Sequence, residues 1–184
     1  MSAAQEIEGG ISALIPSRFT QVWFIDTEFQ AADGERNVPV SLCAYELRSR
    51  RKVEMFFDRA NENIFADPGA LFVCYNAVAE WKTFLALGWE VPSNTIDLYV
   101  EYLNTVNGVW RGNTSVRELG TGLVDAMREH GLDPMSSGEK EAERDYIIAN
   151  GTKAPEGVAQ ADHAKRIVES VSYTHLTLPT ILRV

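Results

Sequence analysis

The stretch Val22-Trp23-Phe24-Ile25-Asp26-Thr27-Glu28-Phe29 decides the fold. Four apolar residues in succession predict a strand covered on both faces, because a strand with one wet face would alternate. The run then meets two carboxylates one residue apart. Residues i and i+2 of a strand project to the same side, so Asp26 and Glu28 stand next to each other at a buried strand's end. A divalent cation removes their mutual repulsion, and hard oxygen donors of this kind suit Mg²⁺ or Mn²⁺. The plainer alternative is a strand that runs into a polar turn with both acids solvated.

Outward from this strand, taken as residues 21–27, the pattern predicts two more strands, 38–47 and 52–57, joined by a turn at Arg48 to Arg51. Leu71-Phe72-Val73-Cys74-Tyr75 follows the Asp67-Pro68-Gly69 turn signal as a compact apolar strand. Ala77 to Leu87 has helical spacing through Val78, Trp81, Phe84 and Leu85, with Gly88 as its close. A short strand at Thr95-Ile96 leads to Asp97, a helix-capping residue for Leu98 to Val106. Helices are further expected over Val116 to His130, ended by Gly131, over Gly138 to Ala149, and from 160 onward. A three-strand meander followed by alternating helix and strand makes an α/β fold with a mixed sheet.

The 184 residues suffice for one domain with a proper core. No apolar run reaches the length of a membrane span, and Met1 to Gly10 lacks the basic and apolar regions of a signal peptide. Cys43 and Cys74 lie in apolar segments without metal-ligand spacing, so they read as reduced core residues. A cytoplasmic location, with no membrane partner, follows as the expectation. The net charge of −9 provides no basic footprint for nucleic acid. The one dense positive run, Arg48 with Arg50, Arg51 and Lys52, is equally a solvated turn. An acidic chain can still act on nucleic acid where metal ions supply the positive charge.

Tyr75-Asn76-Ala77-Val78-Ala79-Glu80 forms the junction between the fourth strand and its helix. Asn76 falls at a strand's carboxyl end, where open α/β sheets place ligands, and Glu80 lies one helical turn further along. Helix capping is the alternative role for Asn76. For Glu80 the alternative is a solvated first-turn acid favoured by the helix dipole.

Asp26-Thr27-Glu28 after one apolar strand and Asn76-x-x-x-Glu80 after another resemble the first two motifs of the 3′–5′ exonucleases with four essential acids. The likeness is nearest to the proofreading domain of family A DNA polymerases, and it extends over roughly residues 20–170. It rests further on Leu71 to Glu80, on Leu85-Ala86-Leu87-Gly88-Trp89-Glu90-Val91-Pro92, on Ile96-Asp97-Leu98-Tyr99-Val100-Glu101 and on Gly138-Glu139-Lys140. The resemblance implies a ribonuclease H-like five-stranded sheet flanked by helices. It also implies two Mg²⁺ or Mn²⁺ ions about 4 Å apart, held by Asp26, Glu28 and Glu80 as catalytic and metal-binding acids. Thr27, Phe29 and Asn76 would contact the 3′-terminal nucleotide. The partner implied is a single-stranded or frayed 3′ end of DNA, with a polymerase region downstream. The family usually carries aspartate where Glu80 stands, and Asp97 is assigned chiefly to capping.

The third motif pairs a Tyr or His with an acid four or five residues later. Tyr146 is followed by Asn150 and His163 by Val168, so neither fits. Residues Val171 to Val184 read instead as a translated sequencing adapter. The transposon mosaic end GTC TCT TAT ACA CAT CTG ACG CTG CCG ACG encodes Val171 through Thr180 without mismatch. The expected organisation is therefore an N-terminal extension (1–18), a 3′–5′ exonuclease domain truncated in its last helix (19–170) and a non-native tail (171–184). Such a chain is expected to hydrolyse DNA weakly or not at all. Two other readings stay open: a stand-alone exonuclease on short RNA or DNA, and a non-catalytic ribonuclease H-like module that binds nucleic acid or a protein.

Overall fold

The computed structural model describes residues 15–31, 36–106, 120–132 and 137–175. Among the described residues the elements are β1 (Val22–Gln30), β2 (Val38–Glu46), β3 (Arg51–Phe56), β4 (Leu71–Cys74), α1 (Ala77–Ala86), β5 (Thr95–Asp97), α2 (Leu98–Val106), α3 (Leu123–Glu129), α4 (Ser137–Asn150) and α5 (Gln160–His175). The five strands form one sheet in the order β3-β2-β1-β4-β5. β1 pairs antiparallel with β2 and parallel with β4, β5 runs parallel to β4, and β2 and β3 form an antiparallel hairpin. The sheet is thus mixed, with β1 central, and the expected architecture holds.

β1 is covered on both sides, as its apolar run requires. Val22 and Phe24 enter a core with Leu98, Leu123 and Met127, while Trp23 and Ile25 enter another with Phe72 and Phe84. The strand does not stop at the carboxylates. Pairing of Thr27 with Leu42 and Glu28 with Ser41 carries it on to Gln30, past the expected end at residue 27. A register shift between Glu28 and Phe29 then turns the last residues, the local kink that a bulge imposes.

Gly88 closes α1 as its position suggested. At φ +73° it adopts the left-handed conformation that suits glycine, its N–H donates to Leu85 O and the Trp89 N–H to Phe84 O. The Trp89 and Phe84 rings meet edge to face, 5.3 Å between centroids. The helix expected over Val116 to His130 is corrected: residues 120–122 are not helical, and α3 starts at Leu123. The Asp125 carboxylate accepts the Gly122 N–H at 3.1 Å and so fixes that start. Residues 116–119 lie outside the described region, as do 1–14 of the proposed extension and 176–184 of the proposed tail. The backbone of α5 continues through 171–175.

α4 and α5 are locked together and laid across β1 and β2. The Gly151 carbonyl can only accept, so His163 Nε2 carries the hydrogen of their 3.0 Å contact. In the neutral ring, Nδ1 then accepts from the Tyr146 hydroxyl at 2.9 Å. Arg166 spans the same helices, stacked 3.6 Å above the Tyr146 ring and paired with Glu143 at 2.8 and 3.2 Å. Tyr146 and His163 are therefore structural, in keeping with their failure to match a third motif. Both cysteines are buried, and neither forms a disulfide among the described residues. No helix among the described residues is long and apolar enough to cross a membrane.

Candidate active site

β1, β4 and β5 all end at the same edge of the sheet, because the three are mutually parallel. At the β1/β4 boundary the order of neighbouring strands reverses, β1 leading to β2 and β3 on one side and to β4 and β5 on the other, and open α/β sheets bind ligands at such a point. A cavity of about 420 Å³ opens there, floored by β1 and walled by α1, α3 and α4. All six residues singled out from the sequence line it: Asp26, Thr27, Glu28, Phe29, Asn76 and Glu80.

Each reaches the cavity for a local reason. Asp26 and Glu28 continue the Phe24 side of β1, both partly buried. Phe29 follows the register shift and so reaches the same space. Glu80 comes from the first turn of α1, but it is no solvated acid, being only 2 % exposed. Thr27 turns toward α1, where its hydroxyl meets Thr83 Oγ1 at 3.2 Å and where its hydroxyl and main chain support Glu80.

Asn76 occupies the residue before α1 yet does not cap the helix with its side chain. It is exposed and held at φ +73°, ψ +67°, a left-handed conformation uncommon outside glycine but accessible to asparagine. The cap comes from Asp97 instead. Its Oδ1 accepts from Asn76 N (3.0 Å) and Tyr99 N (3.0 Å), and its Oδ2 from Ala77 N (2.9 Å). One carboxylate at the end of β5 thus fastens the starts of both α1 and α2 and holds Asn76 in its unusual backbone shape. The assignment of Asp97 to capping stands, with α1 as an additional client.

The electrostatics show how closely the three remaining acids sit. Burial, then the neighbouring Asp26, pushes Glu28 up to about 8, against a smaller opposing pull from Lys140. Burial, then Asp26, raises Glu80 well above the ordinary carboxylate range, with Glu28 adding to the effect. The buried Cys74 thiol is raised as well, by burial first and then by Glu80, Asp97 and Asp26. Glu80 Oε2 is buried and has no hydrogen-bond partner among the described residues. A carboxylate oxygen in that position is costly unless something positive approaches it.

Among the described residues no three Asp, Glu, His or Cys side chains are drawn together tightly enough to cage an ion as they stand. The donor set nevertheless fits a hard divalent cation: oxygen ligands only, mutual repulsion, and one buried oxygen without a partner. Opposite the acids, α4 presents Lys140, Glu143, Arg144 and Ile147 to the cavity. The sequence reading gave these no role, although their i, i+3, i+4, i+7 spacing marks a single helix face.

No family model matches the chain, and no curated protein matches it in sequence. Solved structures do match in shape. The chain is similar to Escherichia coli RNase D, an exoribonuclease involved in structured RNA processing, with a TM-score of 0.51 and 13 % identity. That alignment covers 96 % of this chain and 43 % of RNase D, so the chain spans less than half of that protein. The Aedes aegypti Nibbler EXO domain matches with a TM-score of 0.50 and 10 % identity, over 96 % of this chain and 81 % of the domain. A nuclease solved in its apo form matches with a TM-score of 0.51 and 15 % identity, over 100 % and 88 %. The fold is ribonuclease H-like. At these identities the likeness speaks for the fold alone.

Proposed function

We propose that this chain carries a metal-dependent 3′–5′ exonuclease site in which Asp26, Glu28 and Glu80 hold two Mg²⁺ or Mn²⁺ ions. The observation that carries the reading is Glu80, a buried glutamate with one unpartnered oxygen that shares a cavity with two more carboxylates. Ions bound there would activate water and stabilise the departing 3′ oxygen. Asn76, exposed at the cavity rim, holds the terminal nucleotide, and the Phe29 ring offers a surface on which a base stacks. Thr27 orients Glu80 through hydroxyl and main chain.

Within that class, the finer proposal is the proofreading domain of a polymerase I-like family A enzyme acting on frayed 3′ ends of DNA. Its support is the extended resemblance through Leu71 to Pro92 and Ile96 to Glu101. A stand-alone exonuclease on short RNA or DNA is the second reading, favoured by the likeness in fold to RNase D. A reading frame that continues past Ser170 into polymerase motifs supports the first. A non-catalytic module has less support, because Asp26, Glu28 and Glu80 are all present in one cavity.

Calorimetric titration with Mn²⁺ tests the common core of these readings. The chain should bind the ion, and Asp26→Ala should weaken that binding at least tenfold, roughly 1.4 kcal/mol. Equal titration curves for the two proteins would sink the metal site.

A further inference from the structure

α4 brings positive charge to an otherwise acidic cavity. Lys140, Glu143, Arg144 and Ile147 share the face that lines it, and neighbours at i and i+4 on a helix lie about 5–6 Å apart. The four play different parts. Ile147 packs with Val40 and Ile167 as core. Glu143 is engaged by Arg166 through two hydrogen bonds, so its charge is offset. Among the described residues Arg144 is paired with the adjacent Asp145, at 3.1 Å on the exposed surface, a pairing of the kind worth little in water. Lys140 is exposed, lines the cavity and opposes the rise in Glu28's proton affinity, so its ammonium acts on Glu28. Two exposed cations therefore line the cavity with the three acids, in a chain whose net charge is −9.

We infer that Lys140 and Arg144 form a phosphate grip, which holds the backbone of a single-stranded nucleic acid while its 3′ end sits over Asp26, Glu28 and Glu80. The inference rests on the exonuclease reading and adds to it how a polyanion enters an acid-lined cavity. Metal ions offset the acids on the β1 side. The grip supplies attraction on the α4 side of the same cavity. Both residues are positioning residues; neither is asked to take part in bond breaking.

The test is binding, measured by fluorescence anisotropy with a short fluorescein-labelled oligothymidylate in Ca²⁺ over a series of salt concentrations. Each phosphate neutralised on a single strand contributes about 0.7 to the slope of log affinity against log salt. Lys140→Ala should lower that slope by about 0.7, and the Lys140→Ala/Arg144→Ala pair by about 1.4. Between 50 and 200 mM salt the single variant should therefore lose about 2.6-fold less affinity than the wild type. Lys140→Arg should restore the wild-type slope, and Lys82→Ala, on α1 outside the cavity, should leave it unchanged. An unaltered slope in Lys140→Ala, or an equal fall in Lys82→Ala, overturns the grip. The Mn²⁺ titration keeps the two ideas apart. A chain that binds Mn²⁺ but ignores Lys140→Ala refutes the grip alone, and one that shows the Lys140 effect without binding Mn²⁺ refutes the metal site.

Discussion

Glu46 and Glu80 are the same residue type at nearly the same burial, 4 % and 2 % exposed, at opposite ends of β1. Their surroundings differ completely. Glu46 closes the amino end of the sheet: its Oε1 accepts from Val22 N at 2.9 Å and Arg48 N at 3.3 Å, and its Oε2 from Ser49 N at 2.6 Å. Burial alone would raise its carboxyl, but hydrogen bonds from Ser49, Val22 and Arg48 outweigh that and hold it below the ordinary range. Glu80, at the carboxyl end, has two carboxylates near it and an oxygen with no partner. A folded chain satisfies a buried charge where only structure is at stake. Strongly shifted, incompletely paired carboxylates in a cavity are a feature that functional sites share.

The comparison can be broken most forcefully at Glu46. Glu46→Ala removes an acceptor from three main-chain N–H groups and should cost about 3 kcal/mol of folding stability in urea denaturation. Mn²⁺ affinity of the remaining folded protein should be unchanged. A loss below about 0.5 kcal/mol would mean that the amino end of β1 is held by something else.

The pH response should separate the two ends next. Glu46 has a lowered folded value, so its contribution is present above the unfolded value of 4.5 and is lost as pH falls through the folded one. Glu28 behaves in the opposite sense. Its folded value of about 8 exceeds the unfolded 4.5, so the stability it contributes is complete below 4.5 and is lost as pH rises toward 8. Urea midpoints of metal-free protein should thus decline from pH 5 to 8, and Glu28→Gln should flatten the decline. Saturating Mn²⁺ should flatten it too, since the ion competes with the proton for the same oxygens. A profile identical in Glu28→Gln and wild type would refute the assignment.

Glu80→Gln is expected to act with opposite signs on stability and on binding. Relief of repulsion should stabilise the metal-free chain by about 1 kcal/mol in thermal or urea unfolding, while calorimetry shows weakened Mn²⁺ binding. Destabilisation with intact binding would make Glu80 a second Glu46. The smallest effect is assigned to Asn76. Asn76→Ala places an alanine at φ +73° and should cost about 1 kcal/mol, whereas Asn76→Gly relieves the backbone and should be neutral or slightly stabilising. Both should weaken oligonucleotide binding if the amide holds the terminal nucleotide, and unchanged affinity in Asn76→Gly would remove that role.

Much of this was legible in the chain itself. The unbroken run Val22 to Ile25 identifies a strand buried on both faces, because no one-sided strand tolerates four apolar residues in succession. Gly88 and the Asp97 capping position are likewise local, since a left-handed turn and a short acidic acceptor depend on a few neighbouring residues. The i, i+2 spacing of Asp26 and Glu28 places them on one side of a strand whatever lies around it.

Contacts between distant segments were beyond that reach. β1 runs on to Gln30 because β2 pairs with it there, through partners such as Val38 and Ser41 further along the chain. The helix expected to begin at Val116 begins at Leu123, where Asp125 reaches back to Gly122. Asp97 fastens Asn76 and Ala77 across twenty residues of sequence. Lys140 and Arg144 face the acids only because the Tyr146–His163–Gly151 contacts and the Arg166–Glu143 pair dock α4 and α5 over the sheet. Periodicity and capping report the free energy of short segments, so the sequence alone determined which residues form strands and helices and which acids share a side. Burial without a partner is a property of packing, and only the tertiary structure decided that Glu46 is a satisfied support and that Glu80 keeps a buried oxygen with no partner among the described residues.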